Sequence, residues 1–190
     1  SHTAFNLLST VIFLPITNQF VAFIELLVPG KDVVISRKPL FLDVNMLGTP
    51  SLAMQLATKE VVRMGNMAWH NIELALSAIE DRDSKKIEYI LEHEPVVDIL
   101  EEEITKYLTQ MSENQMSMDL AAVHTGLLHA CNDIERIGDH AEIIAKKVRN
   151  MREDGVEFSP AAQEELKHLS ALVLDASSKA LKALETNDRD

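Results

Sequence analysis

The sequence predicts an all-α protein, an antiparallel bundle of long helices, and three observations carry that prediction. Aromatic residues are only 5% of the 190, with six Gly and six Pro, while Ala, Leu, Glu, Lys and Met abound, a mixture that favours helices over a sheet. Apolar residues recur at three–four spacing through four long stretches, the period of a helix with one buried face. Between those stretches stand short runs rich in turn formers, such as Asp81-Arg82-Asp83-Ser84 and Glu153-Asp154-Gly155.

A chain of this length can bury a proper core. Its net charge of −12 argues against a nucleic-acid partner, because phosphate binding needs a basic face; that charge suits cation binding or a well-solvated surface. A single cysteine, Cys131, rules out an internal disulfide framework. It lies on the apolar seam of its helix and reads as a buried free thiol.

The first thirty residues differ from the rest. From Ala4 to Val28 no charge occurs before Glu25, and about 20 apolar residues suffice to cross a hydrocarbon core. Residues 1–30 therefore read as a membrane helix, kinked at Pro15, with a buried or amphipathic helix of the following domain as the alternative. The stretch lacks the basic start and small-residue cleavage site of a signal peptide. Lys31, Arg37 and Lys38 follow, which by the positive-inside rule would put everything after about residue 30 in the cytoplasm. Residues 31–50, with Pro39, Gly48 and Pro50, read as a linker.

A first bundle helix is expected over about 51–80, with Pro50 at its start, where the missing N–H costs nothing. Its seam is Ala57, Val61, Met64, Ala68, Ile72, Ala75 and Ile79. The second covers about 84–111, with Ile90, Val97, Leu100, Ile104 and Met111 inward; Pro95 inside it should cost about 3 kcal/mol or bend the helix. The third, about 117–152, has Leu127, Cys131, Ile134, Gly138, Ala141, Ala145 and Val148 spaced 4,3,4,3,4,3, a bundle seam in which Gly138 and Ala141 permit close approach. Ser159-Pro160 opens a fourth helix over about 159–186 as cap and first residue, with Leu166, Leu169, Val173, Ala176, Ala180 and Leu184 on its seam.

The chemistry lies in two carboxylate stripes. Glu135, Asp139 and Glu142 fall at i, i+4 and i+7 on the third helix, and Glu94, Asp98 and Glu101 repeat the spacing on the second. Such stacked charges repel by about 0.2–0.5 kcal/mol per i,i+4 pair on an isolated helix. Either a cation or basic partner sits against them, or they are solvated faces balanced by Arg63, Arg136 or Lys146. Asn132 and His140 adjoin the stripe as secondary candidates. Oxygen ligands suit Mg²⁺, Ca²⁺ or Mn²⁺, and iron where ions are bridged, whereas zinc more often brings His or Cys; proton competition is expected near pH 4. His70, His124, His129 and His168 read as structural. Ferritin-like di-iron chemistry needs two Glu-x-x-His pairs, and only Glu165-x-x-His168 occurs. No phosphate-binding Gly-rich loop or nucleophile–base pair is evident, so an enzyme is not expected.

The segment Asn-Asp-Ile-Glu-Arg-Ile-Gly-Asp-His-Ala-Glu at 132–142 resembles the signature of PhoU-type domains, helical regulators of phosphate uptake whose E/D-x-x-x-D motifs are associated with metal clusters. The resemblance implies a divalent or trivalent metal (iron, magnesium, manganese or zinc) held by Glu135 and Asp139, with Glu94 and Asp98 as their counterparts and Glu101 and Glu142 nearby; Pro95 departs from the pattern. It also implies an architecture of two three-helix repeats, of which residues 51–190 supply one and the start of another. The opening His-Thr-Ala-Phe-Asn-Leu-Leu-Ser-Thr-Val-Ile-Phe-Leu-Pro, Thr49-Pro50-Ser51-Leu52-Ala53 and Glu60-Val61-Val62-Arg63-Met64-Gly65 are similar to bacterial sodium/phosphate cotransporters that carry a PhoU-like domain. Their serine-rich substrate motifs are not in this sequence. The implied role is regulatory, with the transporter's membrane part, a regulatory protein or a second copy as partners, and a free-standing regulator or a structural helical module as alternatives. The chain opens Ser-His-Thr and ends Asn-Asp-Arg-Asp, as expected of a piece of a longer protein.

Overall fold

Four long helices follow one another with short turns: α1 Pro50–Asp81, α2 Ser84–Met111, α3 Met118–Glu153 and α4 Pro160–Thr186. They were obtained from a computed structural model that describes residues 36–112 and 116–186. No strand occurs among these residues, and the all-α bundle expected from the sequence is the fold. Contacts group Ser36–Asp190 into one compact unit.

Local chemistry sets the helix ends. Pro50 opens α1, and Arg82 closes it in the left-handed region at φ 53°, its backbone N–H bonded to Ala78 O at 3.0 Å. Asp83 then caps α2 by accepting from Lys85 N at 2.9 Å, so two residues suffice to reverse the chain. Ser117 caps α3 through Leu120 N. Gly155 supplies the positive φ of 64° that ends α3, and Ser159 Oγ caps α4 by accepting from Ala162 N at 3.2 Å; each cap satisfies a backbone donor that the helix start leaves unpaired.

The core is built by α1, α2 and α3, each packed on the other two. Their expected seams are buried almost residue for residue, with Ala57, Val61, Met64, Ile90, Leu100, Ile104, Met111, Cys131, Ala141 and Ala145 all fully enclosed. At the lower end of α1 the closed position is Ala78 rather than Ile79, which is half-buried. Pro95 does not interrupt α2; its ring lies on the exposed side, where the carbonyl it deprives of a donor can turn to water. Gly138 meets α2 closely, since a Cβ there would stand 3.3 Å from Val97 Cγ1.

The fourth helix departs from expectation. It packs chiefly on α1 and buries no residue completely. Leu166, Ser170, Leu174, Ser177, Leu181 and Leu184 are its half-covered stripe, while Leu169 (57% exposed) and Val173, placed on the seam by periodicity, face outward with Leu172. The helix carries apolar residues around a wide arc, and a single neighbouring helix can cover only part of it.

Ahead of α1 the chain forms a bent strap without helix or strand, residues 36–43, and a 3-10 turn at Val44–Met46. Glu60, fully buried on α1, accepts from Leu40 N at 2.8 Å and Phe41 N at 2.7 Å and pairs with Arg63. Arg63 in turn donates to Lys38 O at 3.2 Å, and Tyr107 Oη donates to Asp43 O at 2.9 Å. A buried carboxylate is tolerated when paired and hydrogen-bonded, and here it fastens the strap to the bundle.

Among the described residues no helix is long and apolar enough to cross a membrane. The expected location in a bacterial cytoplasmic membrane, with the chain after about residue 30 facing the cytoplasm, is corrected on that ground: each described helix carries too many charges for a hydrocarbon environment. The apolar helix expected over residues 1–30 and the linker up to Ile35 lie outside the described residues.

Candidate metal centre

The antiparallel register of α2 and α3 brings the two carboxylate stripes together. Glu94, Asp98 and Asp139 each offer an oxygen within 4.8 Å of the others. Glu94 is nearly buried, 6% exposed, Asp139 is half-buried and Asp98 is exposed, so the group forms a slot opening outward from the α2–α3 seam. The Gly138–Val97 contact sits directly beside it in sequence on both helices, and the close approach it permits lets carboxylates from two helices share one space.

Confinement of this kind acts most strongly on Glu94, the most buried of the three. Burial, a hydrogen bond with Asp98 and the charges of Asp98, Glu142 and Asp139 push the Glu94 carboxyl up to about 7. Burial and the charges of Asp139, Asp98 and Glu101 likewise raise Glu135, against the opposing pull of Arg136. At Glu94 protons therefore compete near neutrality rather than near pH 4, because desolvation and like charges both disfavour its ionisation.

The remaining candidates divide by position. Glu135 lies one turn along α3 from Asp139 and feels Asp98 and Glu101 electrostatically, but stands outside the trio. Glu101 accepts from Thr105 Oγ1 at 3.0 Å, and Glu142 is paired with Lys146 at 2.5 Å. Asn132 and His140 are exposed and not part of the trio. Of the proposed counter-charges, Lys146 and Arg136 serve the stripe, whereas Arg63 is committed to Glu60. His93 stacks on Tyr89 with ring centroids 3.8 Å apart and bonds the Tyr89 carbonyl through Nδ1. His124 is structural, buried with Nε2 2.8 Å from Leu108 O, but His70, His129 and His168 are exposed. Cys131 is a buried thiol pushed up to about 12 by burial and the Glu101 charge, and is correspondingly inert.

The donor set fits a hard cation. Around one ion adjacent oxygens stand about 1.4 bond lengths apart and opposite ones two, so bonds of about 2.0–2.6 Å give separations of about 2.8–5.2 Å, a range compatible with a trio within 4.8 Å. The absence of His and Cys from the trio suits magnesium, manganese, calcium or iron better than zinc. One residue escaped sequence analysis. Asn71 on α1 is 1% exposed with an unpartnered Nδ2, and counting outward from the Arg82–Asp83 turn it stands level with Glu94. Its signal was a polar residue beside Ile72 within an otherwise apolar stripe.

Comparison with known proteins agrees with this architecture. The sequence profile described as the PhoU domain matches residues 61–148. The chain is 36% identical over 89 residues to a phosphate-specific transport system accessory protein PhoU homolog of Xylella fastidiosa, covering 46% of this chain and 37% of that protein. A homolog of the same name from Clostridium acetobutylicum is 32% identical over 95 residues, 48% of this chain and 43% of that protein. A putative inorganic phosphate export protein of Escherichia coli is 24% identical over 179 residues, 87% of this chain and 32% of that protein. The chain thus spans less than half the length of these curated relatives. No solved structure matches it. The matched span, from within α1 to near the end of α3, is the three-helix core with its carboxylate slot, and it is this core that is similar to the PhoU domain.

Proposed function

We propose that this chain is a regulatory domain of phosphate transport whose α2–α3 slot holds a hard metal ion through Glu94, Asp98 and Asp139, with Glu135 completing the acidic groove. The observation that carries the reading is the convergence of three carboxylates from two helices around one nearly buried acid. Bound there, a metal would supply positive charge that ionises Glu94 and ties α2 to α3. The relatives named as accessory proteins of phosphate transport support a regulatory role without catalysis, with a phosphate transporter as partner.

The finer reading is that the transporter is a sodium/phosphate cotransporter to which the chain is joined. Supporting it are the sequence similarity at residues 49–53 and 60–65 and the long, weaker match to a putative phosphate export protein. A free-standing regulator is the second reading, favoured by the higher identity to accessory proteins.

Thermal unfolding of the wild-type chain with Mn²⁺ or Mg²⁺, against Glu94→Gln/Asp139→Asn, tests the site. A ligand that binds the folded state alone raises the melting temperature. The expected result is a metal-dependent rise in the wild type that is lost in the variant; equal rises in both reject the site. Phosphate uptake by cells carrying the same variant tests the role, which fails if uptake responds to external phosphate as in wild type.

A further inference from the structure

On the far side of α2 from α3's acidic groove, the strap and α2 line a half-open cavity of 560 Å³. Its lining gathers Arg37 and Lys38 from the strap and Lys106 from α2, three cations in a chain of net charge −12. All three are exposed, and none is in an ion pair among the described residues. Leu42 and Ile99 add apolar surface to the same lining, and Glu103 contributes a single carboxylate.

The wall carrying two of these cations is held in place. The strap has no helix or strand to order it, yet Glu60, Arg63 and Tyr107 bind its backbone at Leu40, Phe41, Lys38 and Asp43. A buried carboxylate and a buried tyrosine hold the backbone that carries Arg37 and Lys38, so a ligand would not have to order that backbone itself. Preorganisation of this kind is what turns scattered surface charge into a binding site.

We propose that the cavity between the strap and α2 binds a small organic phosphate. Guanidinium and ammonium groups recognise phosphoryl oxygens through charge-assisted hydrogen bonds. The cavity lies within the size range of small-molecule sites, about 300–1,000 Å³, and has more room and more apolar surface than a bare oxyanion uses. Leu42 and Ile99 provide contact for an apolar or planar body. Glu103 repels a compact dianion but can accept from a hydroxyl or amino group on that body, which separates an organic phosphate from inorganic phosphate. This site is independent of the carboxylate slot.

Calorimetric titration of the 190-residue chain with adenosine monophosphate and with inorganic phosphate, in metal-free buffer, tests the proposal. Saturable binding of the nucleotide is expected, at least about tenfold tighter than phosphate and weakened by salt. Arg37→Gln/Lys106→Gln should weaken nucleotide binding by about tenfold or more, with an unchanged denaturation midpoint because both side chains are exposed. Lys147→Gln/Arg149→Gln makes the same change in net charge on α3, outside the cavity, and should bind as wild type does. Absence of nucleotide binding, equal affinity for inorganic phosphate, or equal weakening by the two double variants would overturn it.

Discussion

The α1–α3 core and α4 are made of similar sequence, yet they fold to different degrees. Both have three–four apolar spacing, and α4 is the richer in Ala and Leu. In the core every helix has at least two neighbours, and seam residues such as Met64, Leu100 and Ala145 reach zero exposure. Helix α4 leans chiefly on α1 and keeps Leu169 and Leu172 more than half exposed. Burial is thus decided by how many neighbours cover a helix rather than by its own pattern, and stability follows burial.

The sharpest way to break that comparison is a matched pair of truncations. Leu100→Ala in α2 empties a fully buried position and should cost about 2–5 kcal/mol. Leu169→Ala removes the same atoms from an exposed one, and should stay within about 0.5 kcal/mol of wild type. Denaturant midpoints give both values, and equal losses would show that α4 is packed as tightly as the core.

Glycines on one face of α3 and the other provide a second, smaller contrast. Gly138→Leu drives a side chain into Val97 across the α2–α3 seam and should cost about 1–3 kcal/mol. Gly126 has open space where a Cβ would go, so Gly126→Ala should stabilise by about 0.4–1 kcal/mol through helix propensity alone. Unfolding curves of opposite sign are the expected signature.

The acidic slot belongs to the tight region and should betray it through pH. The Glu94 carboxyl stands at about 7 in the folded chain, above its ordinary value, so the folded state binds the extra proton between roughly pH 4.5 and 7. In metal-free buffer stability is therefore greatest at the acid side of that window and falls as pH rises through it, by at most about 1.4 kcal/mol per pH unit. Glu94→Gln should flatten the profile there. A wild-type curve that instead rises between pH 5 and 7, at constant ionic strength and in metal-free buffer, would mean that Glu94 is ionised and solvated.

The smallest expected effect is dynamic. Amide hydrogens of α4 should exchange faster than those of α1 at Val61–Ile72, since local opening tracks the density of buried contacts. Comparable protection along both helices would indicate that α4 opens only with the whole domain.

Much of this was legible without coordinates. The helix ends at Pro50, Asp83 and Ser159 were readable because caps and proline act within a turn of sequence. The 4,3,4,3 seam of α3 was readable because its helix sits against two others, as periodicity assumes. Periodicity failed at α4 for the opposite reason: two apolar stripes were available, and only contact with α1, as of Leu181 with Gly65, chose between them. Among the histidines expected to be structural, His124 is buried and His70, though exposed, bonds Glu73 and packs edge-on against Tyr89, distinctions invisible in sequence because a histidine carries no periodic signal of its own. Glu60 was invisible as a buried anchor, since its partners Leu40 and Phe41 lie twenty and nineteen residues away and nothing local marks the pairing.

By itself the sequence determined the helices, their order, the acidic character and the two carboxylate stripes, all properties of short-range spacing along one chain. Tertiary structure decided which acids meet. Glu94, Asp98 and Asp139 share a slot while Glu135, one turn away on the same stripe, stands outside it, because the relative register of α2 and α3 is set by packing between them, at Gly138 against Val97, and not by either helix alone. The same packing determines that Glu94, chemically an ordinary glutamate, holds its proton near neutrality: desolvation and the charges of a second helix exist only once the helices are together.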